Sequence, residues 1–307
     1  MDYIVAGYSM VTDIYYPDGS CIKESPGGSY YSAAGIKLWR DSVVYLGTAG
    51  PDFERYYGAY FKANGIQTAV KTCLPNTLYY NLNYREDGSW FESCKYGEDY
   101  ERFAQKEGRL TPAMFAACCD AQTKGIYLEA SLAADIADHL AELKALLPNG
   151  KLMWEINTED LLNPAAHEKI RTRIAQVDIF SMNLHEARGF FGVTDEADII
   201  RALLAIGKPC FLRMGARGAA LLADGSYTFV PAVGVDRCVD TTGCGNCSTA
   251  AALIGFAEGL PPAETVAMAN ISAAYNVRQI GPYPLVDEAV RAEASDTLTQ
   301  LLDNLSR

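Results

Sequence analysis

Asp240-Thr241-Thr242-Gly243-Cys244-Gly245-Asn246-Cys247-Ser248 is the stretch on which the reading of this chain turns. Two glycines bracket one small residue, and an alanine-rich run from Thr249 to Phe256 follows. The run has helical character, so the glycines fall at a helix start. Successive backbone N–H groups exposed there form a nest that binds anions, phosphoryl oxygens in particular. On spacing alone, a plain glycine-rich helix cap fits the stretch equally well.

Working outward from it, the chain alternates between short apolar runs and longer helical patterns. Strands are expected at 3–7, 43–46, 125–128, 151–155, 178–182 and 210–214. Helices are expected at 29–39, 53–64, 111–118, 132–146, 163–174 and 195–205, then at 244–258, 262–279 and 286–304. Such alternation implies βαβ units. The expected fold class is therefore α/β: a doubly wound, mainly parallel sheet with helices on both faces. Residues 12–28 are polar and carry Asp18-Gly19, Pro26 and Gly27-Gly28, so turns are expected there. Residues 77–84 and 90–94 are aromatic and β-prone, joined by a turn at Glu86-Asp87-Gly88-Ser89. Composition leaves an edge hairpin and a small β-rich lid equally open. The expectation carried forward is one domain over 1–307, with a lid from segments of about 10–30 and 67–100. No internal repeat or low-complexity tract interrupts it.

Composition narrows the functional classes. Apolar residues make up 49% of the 307, enough for a large core, and the net charge is −12. An acidic chain repels the phosphate backbone of nucleic acids, so a nucleic-acid partner is disfavoured. Nine scattered cysteines argue against a disulfide framework. The start MDYIVAGYSMV lacks a basic region, and no apolar run approaches a membrane span. The expectation is a cytoplasmic protein that neither enters a membrane nor binds nucleic acid. Cys244-x-x-Cys247 has no second pair to complete a zinc site, and His139, His167 and His185 are scattered. No G-x-x-x-x-G-K-[ST] and no G-x-S-x-G occurs. After the first strand the chain reads Gly7-Tyr8-Ser9-Met10, which fails the dinucleotide fingerprint. Most of the nineteen tyrosines are read as packing residues, and some as stacking surfaces.

The 240–248 stretch resembles the signature D-T-T-G-A-G-D of the ribokinase-like (PfkB) carbohydrate kinases. That resemblance implies an anion hole at Gly243, Cys244 and Gly245, with residue 246 as the base that deprotonates the acceptor hydroxyl. Here 246 is Asn246, and a neutral amide accepts no proton from a hydroxyl, though it can orient one. Three readings follow: a slow kinase, a kinase with another base, or a nucleotide- and sugar-binding sensor without turnover. Asn183-Leu184-His185-Glu186 resembles the family's N-x-x-E, which implies Asn183 near the phosphates and Glu186 near Mg²⁺ through water. A capped helix start is the plain alternative. Gly215 and Gly218 resemble the strand-end glycines that line the nucleotide, and Asn270 opens a late helix that resembles the one packing on adenine. Their plain alternatives are a β-turn and ordinary helix packing. Gly7 and Asp13 resemble the first strand and its acceptor of substrate hydroxyls; Gly27-Gly28 resembles the pair that admits the sugar. Ser32 stands where the family has Asn, and the Gly50-Pro51-Asp52-Phe53 loop looks structural. The resemblance implies ATP and Mg²⁺, a sugar or nucleoside-like acceptor, pairing of two copies through the lid, and in some relatives a monovalent cation, for which Asp240 is the candidate.

Overall fold

The computed structural model describes residues 1–87 and 90–306. Nine strands form the main sheet: β1 (Tyr3–Ala6), β4 (Val43–Ala49), β5 (Gln67–Thr72), β8 (Gly125–Ala130), β9 (Lys151–Ile156), β10 (Ile179–Asn183), β11 (Cys210–Arg213), β12 (Gly218–Ala223) and β13 (Ser226–Pro231). Their order is β13-β12-β11-β10-β9-β8-β1-β4-β5. Pairing is parallel from β11 to β5; β12 and β13 are antiparallel at one edge. Strands with helices on both faces must be apolar on both, and β1 and β4 are buried along their whole length.

Because side chains alternate across a strand, each strand feeds two cores. Ile4, Leu46, Leu128, Trp154, Met182 and Leu212 belong to one. Val5, Tyr45, Tyr127, Met153, Ile179 and Phe211 belong to the other, with Ala250 and Leu253 of the helix Cys244–Ala257. That helix is buried continuously from Cys247 to Gly255, and its small residues let it lie close between the sheet and the helices Ser29–Trp39 and Pro262–Asn276. It starts where the parallel strands end.

A second sheet is built from β2 (Met10–Tyr15), β3 (Cys21–Pro26), β6 (Leu78–Tyr84) and β7 (Trp90–Cys94), in the order β3-β2-β6-β7. The expected aromatic hairpin is therefore part of a separate sheet and not an edge of the main one; Gly88 and Ser89 of its expected turn lie outside the described residues. Residues 12–28, read as turns, are mostly strand. Only the short link between β2 and β3 turns. Strand β3 is an exposed edge with no apolar alternation, and the β2–β3 register shifts between Thr12 and Ile14, so its pattern is irregular. The helix expected over 132–146 is a 3-10 turn, Asp135–Asp138, followed by Leu140–Ala145, because His139 leaves the helical region at φ −115. Among the described residues no helix is long and apolar enough to cross a membrane.

Candidate active site

Parallel strands end on the same edge, and here those ends carry charge. Glu129 on β8 is in register with Glu155 on β9, and Asn183 on β10 with Arg213 on β11. Tyr127 and Glu129 are two residues apart and share the face that the helix Cys244–Ala257 covers. Its first turn therefore lies over them. The Asn246 Nδ2 donates to the Tyr127 hydroxyl at 3.3 Å, and that hydroxyl donates to Glu155 Oε2. Arg213 donates from Nη1 to Glu155 Oε1 at 2.7 Å and from Nη2 to Glu186 Oε2 at 3.3 Å. One guanidinium thus bridges two buried carboxylates, which hold it charged against the cost of its burial.

The helix start is shaped by its loop. The Thr242 N–H and hydroxyl donate to Asp240 Oδ1 at 3.1 and 2.9 Å, so Asp240 closes its own turn. Asn276 Nδ2 donates to the Thr242 carbonyl at 2.8 Å. Gly243 takes φ +75 as the cap residue, and no side chain caps the helix. The Cys244 N–H turns back to the Thr241 carbonyl at 3.1 Å. The outward donors are thus the Gly245 and Asn246 N–H groups, which helix geometry leaves without intrahelical partners. A Cβ on Gly245 would lie 2.1 Å from Arg213 Nη1, so only glycine lets the guanidinium rest against this turn. Burial pushes the Cys244 thiol up to about 12 and raises Cys247 as well, so neither is a ready thiolate.

Opposite the helix start lies the glycine pair. Gly28 takes φ +55, and a Cβ there would lie 2.7 Å from Glu129 Oε2. That oxygen is buried without a hydrogen-bond partner, as is Ser32 Oγ. Burial, then the charge of Glu155, push the Glu129 carboxyl up to about 8; Asn246 and Arg213 oppose them in part.

Asp13 is placed differently from the expectation of a free diol acceptor. It is 4% exposed on β2 and accepts from Tyr79 Oη at 2.7 Å, the Glu24 N–H at 3.0 Å and Lys23 Nζ at 3.1 Å. Burial acts to raise its pKa; the hydrogen bonds from Tyr79, Glu24 and Lys23 overcome it and hold the carboxyl below its usual range. Asp13 pins the second sheet. On that sheet, Tyr16 and Tyr84 stack with ring centroids 5.5 Å apart, and both phenols lie near Thr242. The second sheet therefore meets the glycine turn that opens the helix Cys244–Ala257.

At the expected nucleotide end, Asn183 and Glu186 form a reciprocal capping box: Glu186 N–H to Asn183 Oδ1 at 2.9 Å and Asn183 N–H to Glu186 Oε2 at 2.6 Å. Thr158 Oγ1 also donates to Glu186 Oε1 at 2.7 Å. Gly215 takes φ +63 with open space above it, and Gly218 sits at the crossing onto β13. Asn270 departs from the expectation: its Nδ2 donates to the Val230 and Pro231 carbonyls at 2.9 and 3.0 Å and so fastens a helix to β13 rather than a base. Sequence reasoning missed Tyr127, Glu129 and Glu155 and gave Arg213 no role. The available signal was a charged residue closing an otherwise apolar buried run, as in Ile126-Tyr127-Leu128-Glu129.

This geometry matches a known family. Residues 4–289 match the model of the pfkB family of carbohydrate kinases. The chain belongs to that family. A cytidine kinase of Thermococcus kodakarensis is 26% identical over 276 residues, covering 87% of this chain and 92% of the relative. The crystal structure of adenosine kinase from Sinorhizobium meliloti superposes with TM-score 0.72 at 18% identity, over 96% of this chain and 98% of that one. An E. coli chain of the ribokinase type, solved with ATP and Mg²⁺, superposes with TM-score 0.74 at 15% identity, over 97% and 99%. The architecture is ribokinase-like, as the 240–248 stretch implied.

Proposed function

We propose that this PfkB-family chain transfers the γ-phosphoryl group of ATP to a hydroxyl of a small sugar or nucleoside-like polyol. One observation carries the reading: an uncapped, glycine-lined helix start is backed by Arg213, and two buried oxygens, Glu129 Oε2 against Gly28 and Ser32 Oγ, have no hydrogen-bond partner. The helix start and guanidinium suit a phosphoryl group; the unpartnered oxygens suit acceptor hydroxyls. During transfer, negative charge spreads over the equatorial oxygens, and the Gly245 and Asn246 N–H groups are placed to stabilise it. Asn246 orients the hydroxyl. The sheet β3-β2-β6-β7 acts as the lid of a single domain, closing over the turn through Tyr16 and Tyr84. Exposed Phe91 and Tyr96 are the lid surface that a second copy would cover.

Among the described residues no group of three His, Cys, Asp or Glu side chains is arranged to hold a metal. Glu186 already accepts from Thr158, Asn183 and Arg213. These residues fit Mg²⁺ that would arrive on the nucleotide, with Glu186 holding it through water. Bound there, it would neutralise phosphate charge. Gly215 would border the nucleotide, with open space beside it; Gly218 instead packs closely against the Val230–Ala232 backbone.

Asn246 favours a second reading, a sensor that binds both ligands without turnover. ADP release from Mg-ATP, with cytidine, adenosine, D-ribose, D-fructose and myo-inositol as acceptors, separates the two. The native chain beside Asn246→Asp is expected to turn over one acceptor class above the ATP background. Activity only in Asn246→Asp would establish the sensor; silence from both would overturn the kinase reading.

A further inference from the structure

We infer that Glu129 is the general base of this site and that Asn246 is a positioning residue. The inference rests on the kinase reading above and assigns the proton that Asn246 cannot take. Of the other carboxylates near this edge, Glu92 of β7 is exposed, and four are engaged. Glu155 holds Tyr127 and Arg213; Glu186 holds Thr158, the Asn183 N–H and Arg213. Asp13 holds Tyr79, Lys23 and the Glu24 N–H, and Asp240 holds Thr242. Glu129 Oε2 alone among their oxygens is buried without a partner. A buried acceptor left unpaired costs free energy that a ligand hydroxyl would recover. Its place suits such a hydroxyl: it lies against Gly28, where no side chain could stand, and the Asn246 amide bonds toward the same carboxylate. Asn246 then links base and anion hole, with its side chain on Glu129 and Tyr127 and its N–H at the helix start.

The step balances. The acceptor O–H bond breaks and its proton passes to Glu129 Oε2. The freed electron pair forms the bond to the γ-phosphorus. The bond from that phosphorus to the β–γ bridging oxygen breaks, leaving its electrons on ADP. The proton leaves Glu129 for solvent as products depart. A carboxyl raised to about 8 is a stronger base than an ordinary aspartate and is poised near neutral pH. The groups facing it are Glu155 from β9, Arg213 from β11, Glu92 from β7, Tyr45 from β4 and Tyr127 from its own strand.

The test compares the native chain, Glu129→Gln, Glu129→Asp, Asn246→Asp and the Glu129→Gln/Asn246→Asp double variant on the panel above. Glu129→Gln is expected to lower kcat by roughly 10²- to 10⁴-fold with a much smaller change in acceptor KM. Native kcat should rise about tenfold per pH unit up to about 8. Glu129→Asp should keep that slope at reduced kcat, so that a loss of folding in Glu129→Gln leaves the assignment testable. The double variant, which moves the carboxylate back to residue 246, should regain activity and lose the slope. Independently of turnover, infrared spectra of the ligand-free protein should show a protonated-carboxyl band that fades through pH 8 and is absent from Glu129→Gln. Glu92, which burial pushes up to about 7, persists in both and cancels in the difference. Unchanged kcat and pH slope in Glu129→Gln would overturn the inference and leave the kinase reading intact. Activity confined to Asn246→Asp would overturn it in favour of the sensor; silence from every variant would overturn both readings.

Discussion

Removing the charge of Glu129 should stabilise the protein, and increasingly so as pH rises. Its carboxyl is pushed from an ordinary 4.5 up to about 8, burial first and then the neighbouring Glu155 charge. Between those values the folded state binds a proton that the unfolded chain has released, so stability falls as pH rises. The loss is about 1.4 kcal/mol per pH unit. From pH 4.5 to 7 that amounts to a few kcal/mol as an upper bound. Glu129 as a whole residue is only half-buried, so solvent screens some of this, and about 2 kcal/mol is the working figure. Glu129→Gln keeps shape and hydrogen-bonding capacity but has nothing to titrate. The two proteins should therefore unfold alike at pH 4.5 and diverge above it. By pH 7 the variant should melt roughly 3 °C higher. Thermal and urea unfolding of both proteins at pH 4.5, 6, 7 and 8 checks this. A stability difference that stays constant across the range would refute this expectation, since it would mean that Glu129 titrates as an ordinary exposed carboxylate.

Two further substitutions probe the same edge. Gly245→Ala places a Cβ 2.1 Å from Arg213 Nη1, so the guanidinium must leave the glycine turn; kcat should fall by at least about 10²-fold, as steady-state kinetics would show, with a native circular dichroism spectrum. Arg213→Met strands Glu155 and Glu186 as uncompensated buried charges and should cost about 3–5 kcal/mol in urea unfolding, part of which Glu155→Gln in the same chain should restore.

The main sheet was legible because its strands are short apolar runs separated by helical periods. The helix start at Gly243 was legible because a glycine pair breaks the preceding pattern and the alanine-rich run after it favours a helix from its first residue. The second sheet was partly legible: the aromatic alternation of β6 showed, whereas β3 is an exposed polar edge whose pattern resembles a loop. Asn183 and Glu186 were found by spacing, yet their visible work is a capping box, which that spacing encodes equally well. Glu129 and Glu155 were not legible. They meet only because β8 and β9 pair in one register, and nothing in the linear chain brings residues 26 positions apart to the same row.

That register also accounts for the asparagine. The strand ends carry Glu129 and Glu155, Glu186 stands beside them, and Arg213 is the cation they share. An aspartate at 246 would add a further carboxylate within reach of Glu129 in the same poorly solvated space. Like charges there cannot all ionise, so one would take up a proton and be lost as a base. An amide at 246 avoids that competition: it donates to the Tyr127 hydroxyl, lies near the Glu129 carboxylate and leaves one carboxylate oxygen unpaired against Gly28. The departure at residue 246 is thus matched to the carboxylates beneath it, and the site keeps one proton acceptor while changing the residue that supplies it.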